Sequence, residues 1–279
     1  MWRHLHGAAT QFSNLCARWA LERSDNQWSN YLSNEGFRSV LLSIARTKGA
    51  TVTVFSDFCR IAACSLAIGR REEEYLDTAK AYSRDELSDL SLAFAKLVQE
   101  MEQHPFTDLL GPFYLECAAH SSKQARGEFY TPPEISQLIA RMTVDVEEVK
   151  RKGVPISVNE PACGSGGMAL ALAQLFAPDS VDLLRITAQD INPVATDMCY
   201  INLTLWGVPA HVVLGDTIRM TVTRAWKNVH WHRVGEDQRQ ALGRLKDLAG
   251  SVAQTTPDME IPQRHFDPDD GRGQFLLNL

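Results

Sequence analysis

The chain lacks any cysteine pattern that would staple it or bind metal. Its six cysteines (Cys16, Cys59, Cys64, Cys117, Cys163, Cys199) are scattered and form no Cys-x-x-Cys pair, which excludes the usual zinc-ligand spacings and a disulfide framework. No metal site is expected. No apolar run approaches the ~18 residues of a membrane span, and Met1-Trp2-Arg3-His4 lacks the apolar core of a secretory signal. An excess of positive charge is missing too. The net charge is −6 at pH 7, so the molecule as a whole is no cationic sleeve for nucleic acid, and any such contact needs a local basic patch. Internal repeats and long low-complexity runs are absent. What remains reads as a reduced, cytoplasmic protein of 279 residues, 44% of them hydrophobic, with room for one large or two modest domains.

Residues 1–122 read as an N-terminal helical domain. Ser83-Arg84-Asp85-Glu86 is a capping box, and Leu87, Leu90, Phe94, Leu97, Val98 and Met101 follow at helical spacing until His104-Pro105. From His120 to Arg126 the sequence reads as a linker. Residues 123–254 change character. Thr131-Pro132-Pro133-Glu134 reads as a second capping box, whose helix is expected to bury Ile135, Leu138, Ile139 and Met142. Three apolar runs then read as strands: Ile156–Asn159, Leu184–Ala188 and His211–Leu214. Helices alternate with them, one from about Met168 to Phe176 and another after Asn192-Pro193. Strand–helix alternation of this kind predicts an α/β fold with a parallel, Rossmann-like sheet. Thr221–Ala225 or Lys227–Val234 supplies a further strand, Asp237–Val252 a helix, and 255–279 a flexible tail.

The central signal is Glu160-Pro161-Ala162-Cys163-Gly164-Ser165-Gly166-Gly167, between a strand and a helix. Glycines there let the backbone approach a ligand at the carboxyl end of a parallel sheet. The spacing is not that of a dinucleotide fingerprint, and an acid directly before the turn repels phosphate. It suits a cationic ligand instead. S-adenosylmethionine (SAM) carries both a sulfonium and an amino group. About 30 residues on, Asp190 ends the second strand, where an acid reaches ribose hydroxyls, and Gly215-Asp216 ends the third. Cys163 reads as a small packing residue rather than a nucleophile.

These blocks, in order, resemble the N-6 adenine DNA methyltransferases, and in particular the modification subunit of type I restriction–modification systems. Gly127-Glu128-Phe129-Tyr130-Thr131-Pro132 looks like the family's Gly-x-Phe-Tyr-Thr-Pro motif. Glu160–Gly167 resembles its (Asp/Asn)-Pro-x-x-Gly-Ser-Gly-Gly motif. Gln189-Asp190-Ile191-Asn192-Pro193 with Asn202-Leu203, and Leu214-Gly215-Asp216-Thr217, resemble the next two blocks. The match runs from about Lys123 to Ile218, a third of the chain. It implies a SAM-dependent methyltransferase domain behind a helical one, with SAM as cofactor. Phe129, Tyr130 and Thr131 would line its methionine end, although Phe129 and Tyr130 also read as a staple for the following helix. Glu160, Pro161, Ala162, Gly164 and Gly166 would hold the methionine moiety, Asp190 the ribose, and Asp216 the adenine amino group, with Ile191 against the ring.

The family's Asn-Pro-Pro-(Phe/Tyr) motif is missing. An exocyclic amino group is a poor nucleophile, so the Asn side chain and a proline carbonyl accept its hydrogens while the aromatic ring stacks on the flipped base. The only Pro-Pro here is Pro132-Pro133, and the expected place reads Ala225-Trp226-Lys227-Asn228-Val229-His230-Trp231-His232-Arg233. No catalytic residue is therefore assigned. The first reading is a catalytically incomplete protein acting through SAM, DNA or partner binding. The alternatives are an active adenine methyltransferase with a divergent catalytic loop at Asn228–Arg233, and a methyltransferase for a non-DNA acceptor.

Only 63 residues follow Asp216, fewer than a target-recognition domain needs, and a sheet shortened in this way is expected to expose the edge of its first strand. Self-association or a partner subunit follows as an expectation. Thr217–Gly250 holds seven Lys/Arg and three Asp/Glu around Trp226 and Trp231, as a nucleic-acid patch or a solvated helix does. The final Gln274-Phe275-Leu276-Leu277-Asn278-Leu279 resembles the peptide by which bacterial proteins dock on the sliding clamp.

Overall fold

The computed structural model describes residues 36–119 and 131–233. The expected linker with Phe129 and Tyr130, the helix at Asp237–Val252, the tail, the clamp-like terminus and both predicted domain boundaries lie outside the described residues.

The first described segment is helical, as its periodicity predicts: α1 (Phe37–Lys48), α2 (Thr51–Leu66), α3 (Glu72–Ala79), α4 (Arg84–Gln103) and α5 (Leu110–Ala119). The Ser83 capping box closes both ways. Glu86 N donates to Ser83 Oγ at 3.2 Å, and Ser83 N donates to Glu86 Oε2 at 2.7 Å. All six residues of the predicted α4 stripe are buried. α2 is buried nearly all round, as befits the central helix of a layered core.

The second segment runs α6 (Pro133–Thr143), α7 (Val146–Lys152), β1 (Ile156–Glu160), α8 (Gly167–Phe176), β2 (Leu184–Asp190), α9 (Pro193–Leu205), β3 (Ala210–Asp216) and β4 (Thr221–Lys227). The sheet order is β1-β2-β3-β4. The first three strands are parallel, and β4 returns antiparallel along β3. All three predicted parallel strands are present. Of the two stretches proposed for a further strand the first forms it, and 229–233 is a helical turn. α9 is buried from Ala195 to Leu205 because it lies between the sheet and α2, so the helical segment and the sheet share one core. No helix among the described residues is long and apolar enough to cross a membrane.

Two expectations for α6 fail. Its capping box does not form. The helix starts at Pro133 with Pro132 as N-cap and no side-chain cap, because a residue preceding proline is driven out of the helical region, which moves the start one residue along and Glu134 out of register. The expected buried stripe is also reversed: Ile135, Leu138, Ile139 and Met142 are 46%, 54%, 40% and 79% exposed, while Ser136 and Ala140 are buried. α6 packs on α8 alone among its major contacts, and small residues allow that close approach. β1, meanwhile, is an edge strand of the described sheet, as the sequence predicts.

Candidate cofactor site

The site is built where β1, β2 and β3 end. After Glu160 the chain turns through Pro161–Gly166 and enters α8. Gly164 and Gly166 have φ of 52° and 90°, in the left-handed region that side chains disfavour. At Gly166 a Cβ would also lie 3.0 Å from Cys199 Sγ on α9. The turn is fastened from three sides. Gly164 N donates to Asp190 Oδ2 at 2.8 Å, Cys163 N to the Gln189 carbonyl at 2.8 Å, and Thr217 Oγ1 to the Pro161 carbonyl at 2.6 Å. The ends of all three parallel strands thus converge on the predicted glycine turn.

The three acids differ in their surroundings. Burial pushes the Glu160 carboxyl above its ordinary value; the hydrogen bond from the Ala162 backbone pulls it down, and the negative Asp190 nearby pushes it up again. Asp190 accepts Gly164 N on one oxygen and Asn192 N on the other, at 2.8 Å each. It therefore shapes both loops of the site. Asp216 accepts Ile218 N and Arg219 N on Oδ1 at 3.0 Å and pairs through Oδ2 with Arg219 Nη1 at 2.7 Å. Those hydrogen bonds and the Arg219 charge hold it below the usual carboxylate range.

Of the other predicted residues, Ile191 is 67% exposed beside the turn, free to cover a planar group. Pro161, Ala162 and Thr131 are exposed. Phe129 and Tyr130 lie outside the described residues. The Cys163 thiol is buried and raised well above its ordinary value, by its hydrogen bond with Cys199 and then by burial, which fits packing rather than nucleophilic chemistry. No group of three or more His, Cys, Asp or Glu arranged for a metal occurs among the described residues.

Asn228–Arg233 lies away from the glycine turn in this structure. Because β4 runs antiparallel, it carries the chain from Asp216 back to the amino end of β3, roughly 20 Å from the glycine turn at the usual rise per strand residue. Asn228 is buried there, with Oδ1 accepting Ala210 N and Trp231 N and Nδ2 donating to the Val208 carbonyl. His232 contacts Arg70, and Trp231 lies by His211. All three lie at the end of the sheet away from the glycine turn.

Sequence reasoning missed the residues that reach the site from the helical segment. Tyr114 Oη accepts Asn192 Nδ2 at 3.2 Å, and Asp108 accepts the Ser165 hydroxyl within the turn. Asp108 precedes Leu110-Gly111 as a cap would, which is a legible local signal, but its distant partner is not.

Part of the chain is similar to known DNA methylases. Residues 106–231 match the family model of N-6 DNA methylases. The methylase subunit of the type I restriction enzyme MpnII of Mycoplasma pneumoniae is 25% identical over 181 residues, which cover 58% of this chain and 32% of that protein. The MjaIX methylase subunit of Methanocaldococcus jannaschii is 30% identical over 121 residues, covering 42% of this chain and 20% of that protein. This chain spans about a third or less of these curated relatives. Among solved structures, a type I restriction-modification methyltransferase subunit from Streptococcus thermophilus aligns with a TM-score of 0.37 at 16% identity, over 77% of this chain and 52% of that one. The family match begins at Phe106, inside the helical segment, and takes in Asp108 and Tyr114 as well as the strand ends. Residues 106–231 thus resemble the N-6 DNA methylases, and methylase subunits of type I restriction enzymes are among the proteins similar to this chain.

Proposed function

We propose that this chain binds SAM at the carboxyl ends of β1–β3 and provides the cofactor half of an adenine-N6 DNA methyltransferase. The observation that carries the reading is the glycine turn, whose Gly164 amide is bonded to Asp190 while the half-buried Glu160 carboxylate lies beside it. The fit is chemical. Two neighbouring carboxylates raise each other's energy, and a cationic ligand relieves it. SAM, when bound, supplies a methyl group activated by its sulfonium. Glu160 accepts hydrogens from the ligand's ammonium group, and Asp190 those of ribose hydroxyls with its remaining lone pairs. Ile191 covers one face of the adenine ring, and Asp216 meets its amino group. Thr131, with Phe129 and Tyr130, closes the methionine end.

The acceptor half of the reaction needs groups that take the hydrogens of an exocyclic amine. The chain contains no Asn-Pro-Pro-(Phe/Tyr) segment, and Asn228–Arg233 lies at the wrong end of the sheet. The reading is therefore of a protein that acts on DNA through SAM and partner binding, in a reducing, cytoplasmic setting that the free, buried thiols among the described residues support. It includes association of two copies through the edge of β1 in the described sheet.

Isothermal titration of SAM into the full chain and into Asp190→Ala tests the cofactor reading. Binding to the first and at least about tenfold weaker binding to the second are expected, because Asp190 makes charge-assisted hydrogen bonds on both sides of the site. Equal affinity would overturn the site assignment. Transfer of label from SAM to unmethylated bacterial DNA by the chain alone would overturn catalytic incompleteness.

A further inference from the structure

The helical segment grips the glycine turn with more polar chemistry than packing requires. Asp108 lies just before α5, and four neutral donors converge on its carboxylate. Oδ1 accepts Leu110 N at 3.1 Å, Gly111 N at 3.0 Å and Asn202 Nδ2 at 3.0 Å. Oδ2 accepts the hydroxyl of Ser165, the residue between the two glycines of the turn. Asn202, on α9, gives its second amide hydrogen to the Ser165 carbonyl at 2.9 Å. Ser165 and Asn202 are both fully buried. Gly111 is shaped to this contact, since a Cβ there would run into Asp108 Oδ2 and lie 2.5 Å from Ser165 Oγ.

Such an arrangement is a poor way to gain stability alone. A buried carboxylate opposes folding through its lost hydration, and burial pushes Asp108 above its ordinary value despite four hydrogen bonds. What it gains is definition. The hydroxyl and the carbonyl of Ser165 are held, the first by Asp108 and the second by Asn202, so the residue between Gly164 and Gly166 has one orientation. A turn with two glycines otherwise has many conformations to lose when a ligand binds.

We propose that Asp108 is a positioning residue. With Ser165 and Asn202 it holds Gly164–Gly167 in the conformation that receives SAM, and so couples the helical segment to cofactor affinity. This rests on the reading of the turn as the cofactor site.

The test uses the full chain with Ser165→Ala, Asp108→Ala and Asp108→Asn. Two quantities are measured: SAM affinity by titration, and hydrogen exchange of the Gly164 and Gly166 amides in the free protein. Ser165→Ala deletes one oxygen and keeps the fold measurable if Asp108→Ala does not fold. Ser165→Ala and Asp108→Ala should each weaken SAM about tenfold and speed exchange at both glycines, and the double variant should be little worse than either single one. Asp108→Asn should stay within about threefold of the parent, because its carbonyl keeps the α5 amides and its NH2 donates to Ser165 Oγ. Parent-like affinity and exchange in Ser165→Ala overturn the proposal. If the parent chain binds no SAM, the cofactor reading fails. Exchange then decides the positioning role by itself: faster exchange in Ser165→Ala upholds it, and unchanged exchange overturns it.

Discussion

Replacing Asp197 should cost this protein more stability than replacing any nearby surface charge. Asp197 stands on α9, and its side chain is 1% exposed, as is that of Arg71. Its Oδ2 accepts Arg60 Nε at 2.5 Å and its Oδ1 accepts Arg71 Nη2 at 2.9 Å, so one carboxylate joins the helical segment to the helix that floors the site. Glu74 bridges the same two arginines and also pairs with Arg224 on β4, and the Arg71 guanidinium lies 4.1 Å from the Trp226 ring centre. Three arginines and two acids leave the cluster at +1, and Asp197→Ala takes it to +2. Removing one partner of a buried pair costs about 3–5 kcal/mol, because the other charge is left desolvated. Arg60 is partly exposed, and both arginines keep Glu74, so the low end of about 3 kcal/mol applies. For a protein of this size that is a fall in Tm of roughly 6–12 °C. Arg224→Ala is the control. It removes a half-exposed partner and lowers the excess charge, so it should shift stability by less than about 1 kcal/mol. Urea titration with unchanged slope measures both. A loss under 1 kcal/mol for Asp197→Ala, or one no larger than that of Arg224→Ala, refutes the account of this seam.

Glu160→Gln should separate stability from binding. Its folded carboxyl is raised, so the folded state holds a proton that the unfolded chain releases at lower pH, and the free protein loses stability as pH rises through that interval. The Gln variant should lack this loss and be the more stable at neutral pH, while binding SAM about 10–100-fold more weakly for want of a charged acceptor; a variant equal to the parent in affinity refutes the role. Association through the β1 edge should appear as a concentration-dependent mass in light scattering at micromolar protein, and a monodisperse monomer there counts against it.

Much of the fold was legible because its signals are local. Ser83 and Glu86 declare a helix start within four residues, and the apolar alternation of Leu184, Ile186 and Ala188 declares a strand with one buried face. The turn was legible because its glycines mark a backbone conformation at 164 and 166 that side chains disfavour. α6 was misread for a physical reason. Its spacing of Ile135, Leu138, Ile139 and Met142 states which residues gain from burial, not that the chain supplies what buries them. In the described structure α8 takes the Ser136–Ala140 side, and the apolar side stays open. The place of Asn228 was likewise not legible: a segment near the expected place in sequence lies at the opposite end of the sheet, because the direction of β4 cannot be read from its own residues. Asp108 was out of reach, since its partners are 57 and 94 positions away.

The structure also ranks acids that the sequence presents as equals. A carboxylate offers about four acceptor positions. Asp190 uses two, one on each oxygen and both for loop amides, and so is already aimed while keeping two for a ligand. Glu160 is half-buried beside another negative charge and carries the raised pKa, the condition in which a cationic ligand brings the largest relief. Asp216 is the most engaged, with two backbone amides on one oxygen and the Arg219 guanidinium on the other. Its hydrogen bond to a ligand requires that guanidinium to move, and Arg219 is exposed enough to do so, with its side chain 79% accessible. Affinity should therefore depend most on Asp190 and Glu160 and least on Asp216, and replacing Arg219 should raise it by freeing the third acid.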